Sequence, residues 1–170
     1  MKRQKLVRSS IVAVIILFTV GCDQLSKHIV RQKVEYGTQI SVIGDCVTLT
    51  KVENTGAFLG LGNSIPRPLY RLLMIIMPLA VIGYALFYLI KKETLSGLML
   101  VAISLIMGGG LGNIYDRILY GSVTDFLYFD FVLFHTGIVN MADIFVTAGF
   151  FMILYGFCMD QRKTLREHNR

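Results

Sequence analysis

"IVAVIILFTVGCDQLSKHIV", residues 11–30, decides the fold. The apolar run 11–22 is 12 residues long and follows Lys2, Arg3, Lys5 and Arg8. Alone it fits the core of a removable leader better than a span. If the helix continues through "DQLSKHIV", where Leu25, Ile29 and Val30 stay apolar, it reaches the roughly 20 residues that cross a bilayer. Asp23 and Lys27 then fall one helical turn apart and can pair. Asp23 becomes an ionisable group at membrane depth, a costly placement that marks function.

The rest of the chain favours the span. Of 170 residues, 54% are hydrophobic and 16% charged, and the mean hydropathy is +0.61. Soluble domains carry roughly a quarter charged residues, so this chain lacks the charge a water-facing surface needs. Three further apolar runs, 69–90, 95–113 and 138–159, each have spanning length. With a first span at 9–30 they predict a single α-helical membrane domain over 1–170. Pro78 is expected to kink the second span, which membrane helices tolerate.

Four spans put both termini on one side. Both are basic, with Arg162, Lys163, Arg166 and Arg170 in the tail 160–170, so the positive-inside rule predicts a cytoplasmic location for them. The net charge of +6 is then a topology signal, and no nucleic-acid partner is expected. Segment 35–65 alternates β-branched and polar residues between glycines and prolines, which predicts short strands outside the bilayer. Segment 114–137 is aromatic and amphipathic, as suits a helix or loop lying on the membrane surface.

Cys22, Cys46 and Cys158 form no CxxC and no disulfide framework, and read as small apolar fillers. His28, His135 and His168 are scattered, without an HExxH. No metal and no cofactor are expected.

The informative residues are the polar ones that persist in an apolar chain: Asp23; Asn54 in "ENTGAF"; Asn113, Asp116 and Arg117 in "GGGLGNIYDR"; Asp125, Asn140 and Asp143. On the predicted topology all lie near the outer membrane boundary. Each has a plain structural explanation. Gly108 and Gly112 make a helix-packing step, Arg117 can snorkel, Asn54 suits a turn, and Asp125 needs no partner in a loop. Asp143 is the exception. It is read about one and a half turns into the last span, with Asn140 one turn earlier on the same face. Pairing with Arg117 is its structural alternative.

Asp125 and Asp143 can meet only if the chain turns back near "FHTG", because 18 residues of continuous helix would hold them about 27 Å apart. Two carboxyls facing each other in a low dielectric share a proton and can hold a water between them. Such a pair can activate the water while polarising a carbonyl. No Ser-His-Asp, Ser-Lys or Cys-His arrangement competes.

"DQLSK", "NTGAF", "GGGLGNIYDR", "VTDF" and "NMAD" also carry a resemblance. Their order over nearly the whole chain resembles bacterial lipoprotein signal peptidase, the signal peptidase II family. The resemblance implies an aspartic endopeptidase of the bacterial inner membrane. It would cleave lipid-modified prolipoproteins before the diacylglyceryl cysteine, with its site near the outer face. It implies Asp125 and Asp143 as the catalytic dyad and Asp23, Asn54, Gly56, Asn113, Arg117 and Asn140 as supporting or substrate-binding positions. It further implies a small β-cradle in the outward segment and an amphipathic surface helix or loop before Asp125. Its partners would be prolipoproteins and membrane lipids, with nothing requiring an oligomer. The chain departs from the family pattern at Phe58, directly after Ala57, and at Val139, where many members have an aromatic. Both departures bear on substrate fit.

Two rival readings remain at this point. A small multi-pass transporter or channel component would use Asp23, Arg117 and Asp143 as an ion path and spread its charges through the bilayer. A lipid-anchored protein cut before Cys22 would explain "TVGC", although Thr19 stands where leucine is favoured and three further spans would have no purpose.

Overall fold

The computed structural model describes residues 2–44, 46–56, 66–92, 94–131 and 134–168. Among the described residues, four helices are long and apolar enough to cross a membrane: Arg3–Lys33, Arg67–Lys91, Gly97–Leu119 and Met141–Gln161. The first belongs to α1 (Lys2–Lys33), which runs unbroken through Cys22 and Asp23. The second comprises α2 (Arg67–Arg71), a π-helical turn (Leu72–Ile76) and α3 (Met77–Lys91). Its wider turn comes just before Pro78, whose ring and missing N–H disturb the bonding one turn earlier.

The third and fourth spans are α4 (Gly97–Leu119) and α5 (Met141–His168). Ser96 starts α4 by accepting a hydrogen bond from the Met99 N–H at 3.3 Å. α4 is central, packing against α1, α3 and α5. Large side chains such as Leu17, Phe18, Val81, Phe87, Phe151 and Tyr155 point outward, the expected dress of helices solvated by lipid.

The buried positions of α1 include Val12, Thr19, Asp23, Lys27 and Val30, a stripe at the three- and four-residue spacing of one helix face. That stripe meets the glycines of α4. A Cβ at Gly112 would lie 2.5 Å from Asp23 Oδ2, and one at Gly109 would lie 2.5 Å from the Ala142 carbonyl oxygen of α5. Small residues let three backbones approach closely where their polar groups must meet.

A four-stranded antiparallel sheet, ordered β1-β2-β3-β4, caps this end of the helices. Its strands are β1 (Ile40–Ile43), β2 (Val47–Asn54), β3 (Val123–Phe131) and β4 (Phe134–Val139). Val30 and Phe126 join α1 to the sheet through a buried apolar cluster that also takes in Leu49 and Met141.

The strands expected between the first two spans are therefore present as β1 and β2, while 57–65, with Ala57 and Phe58, lies outside the described residues. The segment between the third and fourth spans differs from expectation. α4 continues six residues past 113, and β3 and β4 pair antiparallel where a surface helix or loop is expected. The aromatic alternation of "FLYFDF" is a strand period, and β2 and β4 supply its ladder partners on both sides. The cysteines differ too. Cys46 and Cys158 are exposed and Cys22 is partly so, all as free thiols, so none is a core filler.

Candidate active site

Strand register brings the first two candidate side chains together. Val52 pairs with Asp125 and Asn54 with Val123, so Asn54 and Asp125 are diagonal neighbours on one face, within side-chain reach. Asn54 Nδ2 donates to Asp125 Oδ2 at 3.0 Å. The other oxygen, Asp125 Oδ1, accepts from Asn140 Nδ2 at 2.6 Å.

Asn140 stands between β4 and α5 and caps the helix. Its side-chain oxygen accepts from the Asp143 N–H at 3.0 Å, and Asp143 Oδ2 accepts from the Asn140 N–H at 3.1 Å. This reciprocal pair is a capping box with aspartate in the third helical position. Asp143 therefore lies in the first turn of α5, not one and a half turns inside a span. The apolar pair Ile138 and Val139, read from hydropathy as helix, belongs to β4. Asp143 Oδ1 accepts from Asn113 Nδ2 at 2.9 Å.

Asp125 and Asp143 line one cavity of ≈ 180 Å³ with Asn54, Asn113, Arg117 and Asn140. Val139, one of the two departures, lines it as well. Arg117 does not pair with Asp143. Its Nη1 donates to the Asn113 carbonyl at 3.3 Å and its Nη2 to the Gly56 carbonyl at 3.2 Å. The Gly56 N–H in turn donates to Asn54 Oδ1 at 3.1 Å, which orients that amide so its nitrogen faces Asp125. Burial pushes the Asp125 carboxyl up to about 6, against the lowering effect of the Asn54 and Asn140 hydrogen bonds, with the nearby Asp143 charge adding to the rise.

Asp23 lies behind the cavity rather than in it. Its Oδ1 accepts from the Ala142 N–H of α5 at 3.0 Å, and its Oδ2 pairs with Lys27 Nζ at 2.8 Å. Lys27 also reaches Asp116 Oδ2 at 3.0 Å and donates to Asn113 Oδ1 at 2.9 Å. Asp23, Lys27 and Asp116 are wholly buried. Arg31 closes the cluster 3.0 Å from Asp116 Oδ2, and Gln24 Nε2 donates to Asp116 Oδ1 at 3.0 Å.

The structure thus joins every residue singled out from sequence to one connected network. It adds Gln24 and Arg31, and it gives Lys27 and Asp116, singled out in the sequence without a role in the site, a place in the ion cluster behind the cavity. The Lys27 pairing was legible from its spacing to Asp23. Its contact with Asp116 depends on how α1 docks on α4. Among the described residues, no group of three or more His, Cys, Asp and Glu stands ready to hold a metal.

The geometry bears on both rivals. Buried Asp23, Asp116 and Asp125 gather at the sheet end instead of spreading along the spans, which disfavours an ion path. The Gly21–Cys22 bond lies inside continuous α1, whereas a protease cuts an extended chain.

Comparison with known proteins agrees. The family described as signal peptidase (SPase) II matches residues 15–159. Lipoprotein signal peptidase of Streptococcus pneumoniae is 34% identical over 91% of this chain and 96% of its own. That of Halothermothrix orenii is 36% identical over 85% of this chain and 93% of its own. A solved bacterial membrane enzyme superposes with a TM-score of 0.80 at 28% identity, over 89% of this chain and 90% of that one. With the matched region running from the first membrane helix into the last, this multi-pass membrane protein belongs to the signal peptidase II family.

Proposed function

We propose that this protein removes signal peptides from prolipoproteins by cleaving before the lipid-modified cysteine, with Asp125 and Asp143 activating water. The observation that carries the proposal is their shared cavity, in which the Asn54 and Asn140 amides orient Asp125 and the Asn113 amide and Asn140 backbone N–H orient Asp143. Two carboxyls in so small and buried a space hold one proton between them.

Asp125, whose proton affinity burial raises, keeps that proton, and Asp143 is the base. A water between them loses a proton to Asp143 as its oxygen bonds to the scissile carbonyl carbon. The Asp125 proton passes to the carbonyl oxygen, giving a neutral gem-diol. As the C–N bond breaks, the amine takes the proton held by Asp143, and one diol hydroxyl returns its proton to Asp125. The products are a carboxylic acid and an amine, and the dyad regains its single proton. Asn54, Asn113 and Asn140 hold the carboxyls in register, while Asp23, Gly56 and Arg117 support those asparagines and the start of α5.

The basic N-terminal flank and tail support a bacterial inner-membrane location with both termini in the cytoplasm, which puts the sheet and cavity at the outer face. A monomer suffices, since the site draws on one chain. The test is prolipoprotein cleavage by Asp125→Asn and Asp143→Asn. Each should fall by at least about a hundredfold, the scale of a lost acid or base, while circular dichroism stays unchanged. Turnover retained by either folded variant would rule out the dyad.

A further inference from the structure

The catalytic cavity has a neighbour that shares Arg117. It is ≈ 520 Å³ and lies between the start of the second membrane helix and the end of α4, walled by Arg67, Tyr70, Arg71, Ile75, Arg117 and Ile118. That volume falls within the roughly 300–1,000 Å³ of ligand pockets. Its charge is one-sided. Arg67 and Arg71 stand four residues apart, on one face of the helix, and no carboxylate lines the space. Neither arginine forms an ion pair among the described residues.

Arg117 gives the second, independent observation. Two of its nitrogens are committed to the Asn113 and Gly56 carbonyls, but its Nε is buried without a hydrogen-bond partner. A buried donor left unmade is costly, and three guanidinium groups around one hole repel one another. An anion between the three groups would relieve that repulsion.

The remaining wall says which anion. Ile75 and Ile118 are apolar, and Ile118 and Leu119 are exposed on the outside of α4. The cavity sits where two membrane-length helices end, the depth of a lipid headgroup. We propose that it binds one anionic glycerophospholipid. The phosphate would sit among Arg67, Arg71 and Arg117, and the acyl chains would run down past Ile75 and Ile118. Guanidinium groups match phosphate geometry through paired N–H donors, and basic pockets between membrane helices take lipid headgroups in this way. A free phosphate would leave the apolar wall uncovered, and an acidic peptide has no long tail to cover it.

Binding is read without substrate, so the proposal stands or falls separately from the protease assignment. The purified full-length chain in detergent is mixed with phosphatidylglycerol, phosphatidylcholine or inorganic phosphate, and retained ligand is measured by native mass spectrometry. One phosphatidylglycerol should be held at least about tenfold more tightly than phosphatidylcholine, a preference of about 1.4 kcal/mol. R67Q/R71Q should lose that preference. Both arginines are exposed, so folding should be spared, with circular dichroism as the check. Ile75→Trp, which fills the apolar wall and leaves every charge, should also weaken retention. Equal retention of the two lipids, or undiminished binding by R67Q/R71Q or Ile75→Trp, overturns the proposal. So does inorganic phosphate binding as tightly as lipid, and so does displacement of the lipid by a soluble acidic peptide.

Discussion

Lys27→Met tests what holds the site in place. Lys27 is wholly buried, 2.8 Å from Asp23 and 3.0 Å from Asp116, both also wholly buried. Methionine matches the volume and removes the charge. Deleting one partner of a buried ion pair costs about 3–5 kcal/mol, because the other charge is left uncompensated. Partial compensation survives here: Arg31 still faces Asp116, and the Ala142 N–H still donates to Asp23. The expected loss is therefore near the lower end, about 3 kcal/mol. The chain has no tryptophan, so chemical denaturation in detergent is best followed by circular dichroism. Adding Asp23→Asn removes the stranded negative charge, and the double variant should be more stable than Lys27→Met alone. The coupling between contacting residues of this kind is about 0.5–3 kcal/mol. A loss below about 1 kcal/mol, the value of an exposed pair, would refute the reasoning. So would additivity of the two substitutions.

Asp125 makes the fold pH-dependent. Its native carboxyl titrates at about 6 against 3.8 for the ordinary group, so the native state binds more protons between those values. Its contribution to stability is full below the lower value and lost as pH rises through the upper one, roughly 3 kcal/mol in all. Asp125→Asn should flatten that decline in detergent unfolding curves, and an unchanged pH slope would contradict the burial argument. The glycines give a matched pair. Gly112→Ala drives a methyl against Asp23 and should cost about 1–3 kcal/mol. Gly21→Ala, with nothing within 4 Å of its added Cβ, should be neutral or stabilising by up to about 1 kcal/mol; equal unfolding midpoints would show that the seam is not tight. Cys22→Ala should leave cleavage intact, because Cys22 has no part in the hydrogen-bonded site; a large loss of turnover would bring the thiol back into the chemistry.

Much of this architecture is legible in the sequence, because a bilayer demands long apolar runs and penalises every polar residue within them. That is why Asp23, Asn113 and Asp143 stood out. Where local pattern is ambiguous, sequence and structure part. "FLYFDFVLFH" is apolar enough for a surface helix and alternates well enough for a strand, and only β2 and β4 alongside decide between them. The end of α4 was misplaced because Asp116 and Arg117 look like a membrane boundary. The helix continues because Lys27, Arg31 and backbone carbonyls satisfy both. Asp143 was read too deep because hydropathy counts Ile138 and Val139 as span without seeing the turn at Asn140. Lys27's reach to Asp116 and Asn113 depends on the docking of helices distant in the chain, which spacing alone does not specify.

The bond from the Ala142 amide to Asp23 ties the beginning of the polypeptide to its final helix. During synthesis the early spans emerge while Asn113 still has no carboxylate to orient and Asp23 no amide to receive. The walls of the Asp125–Asp143 cavity therefore come together only once α5 follows and docks against α1.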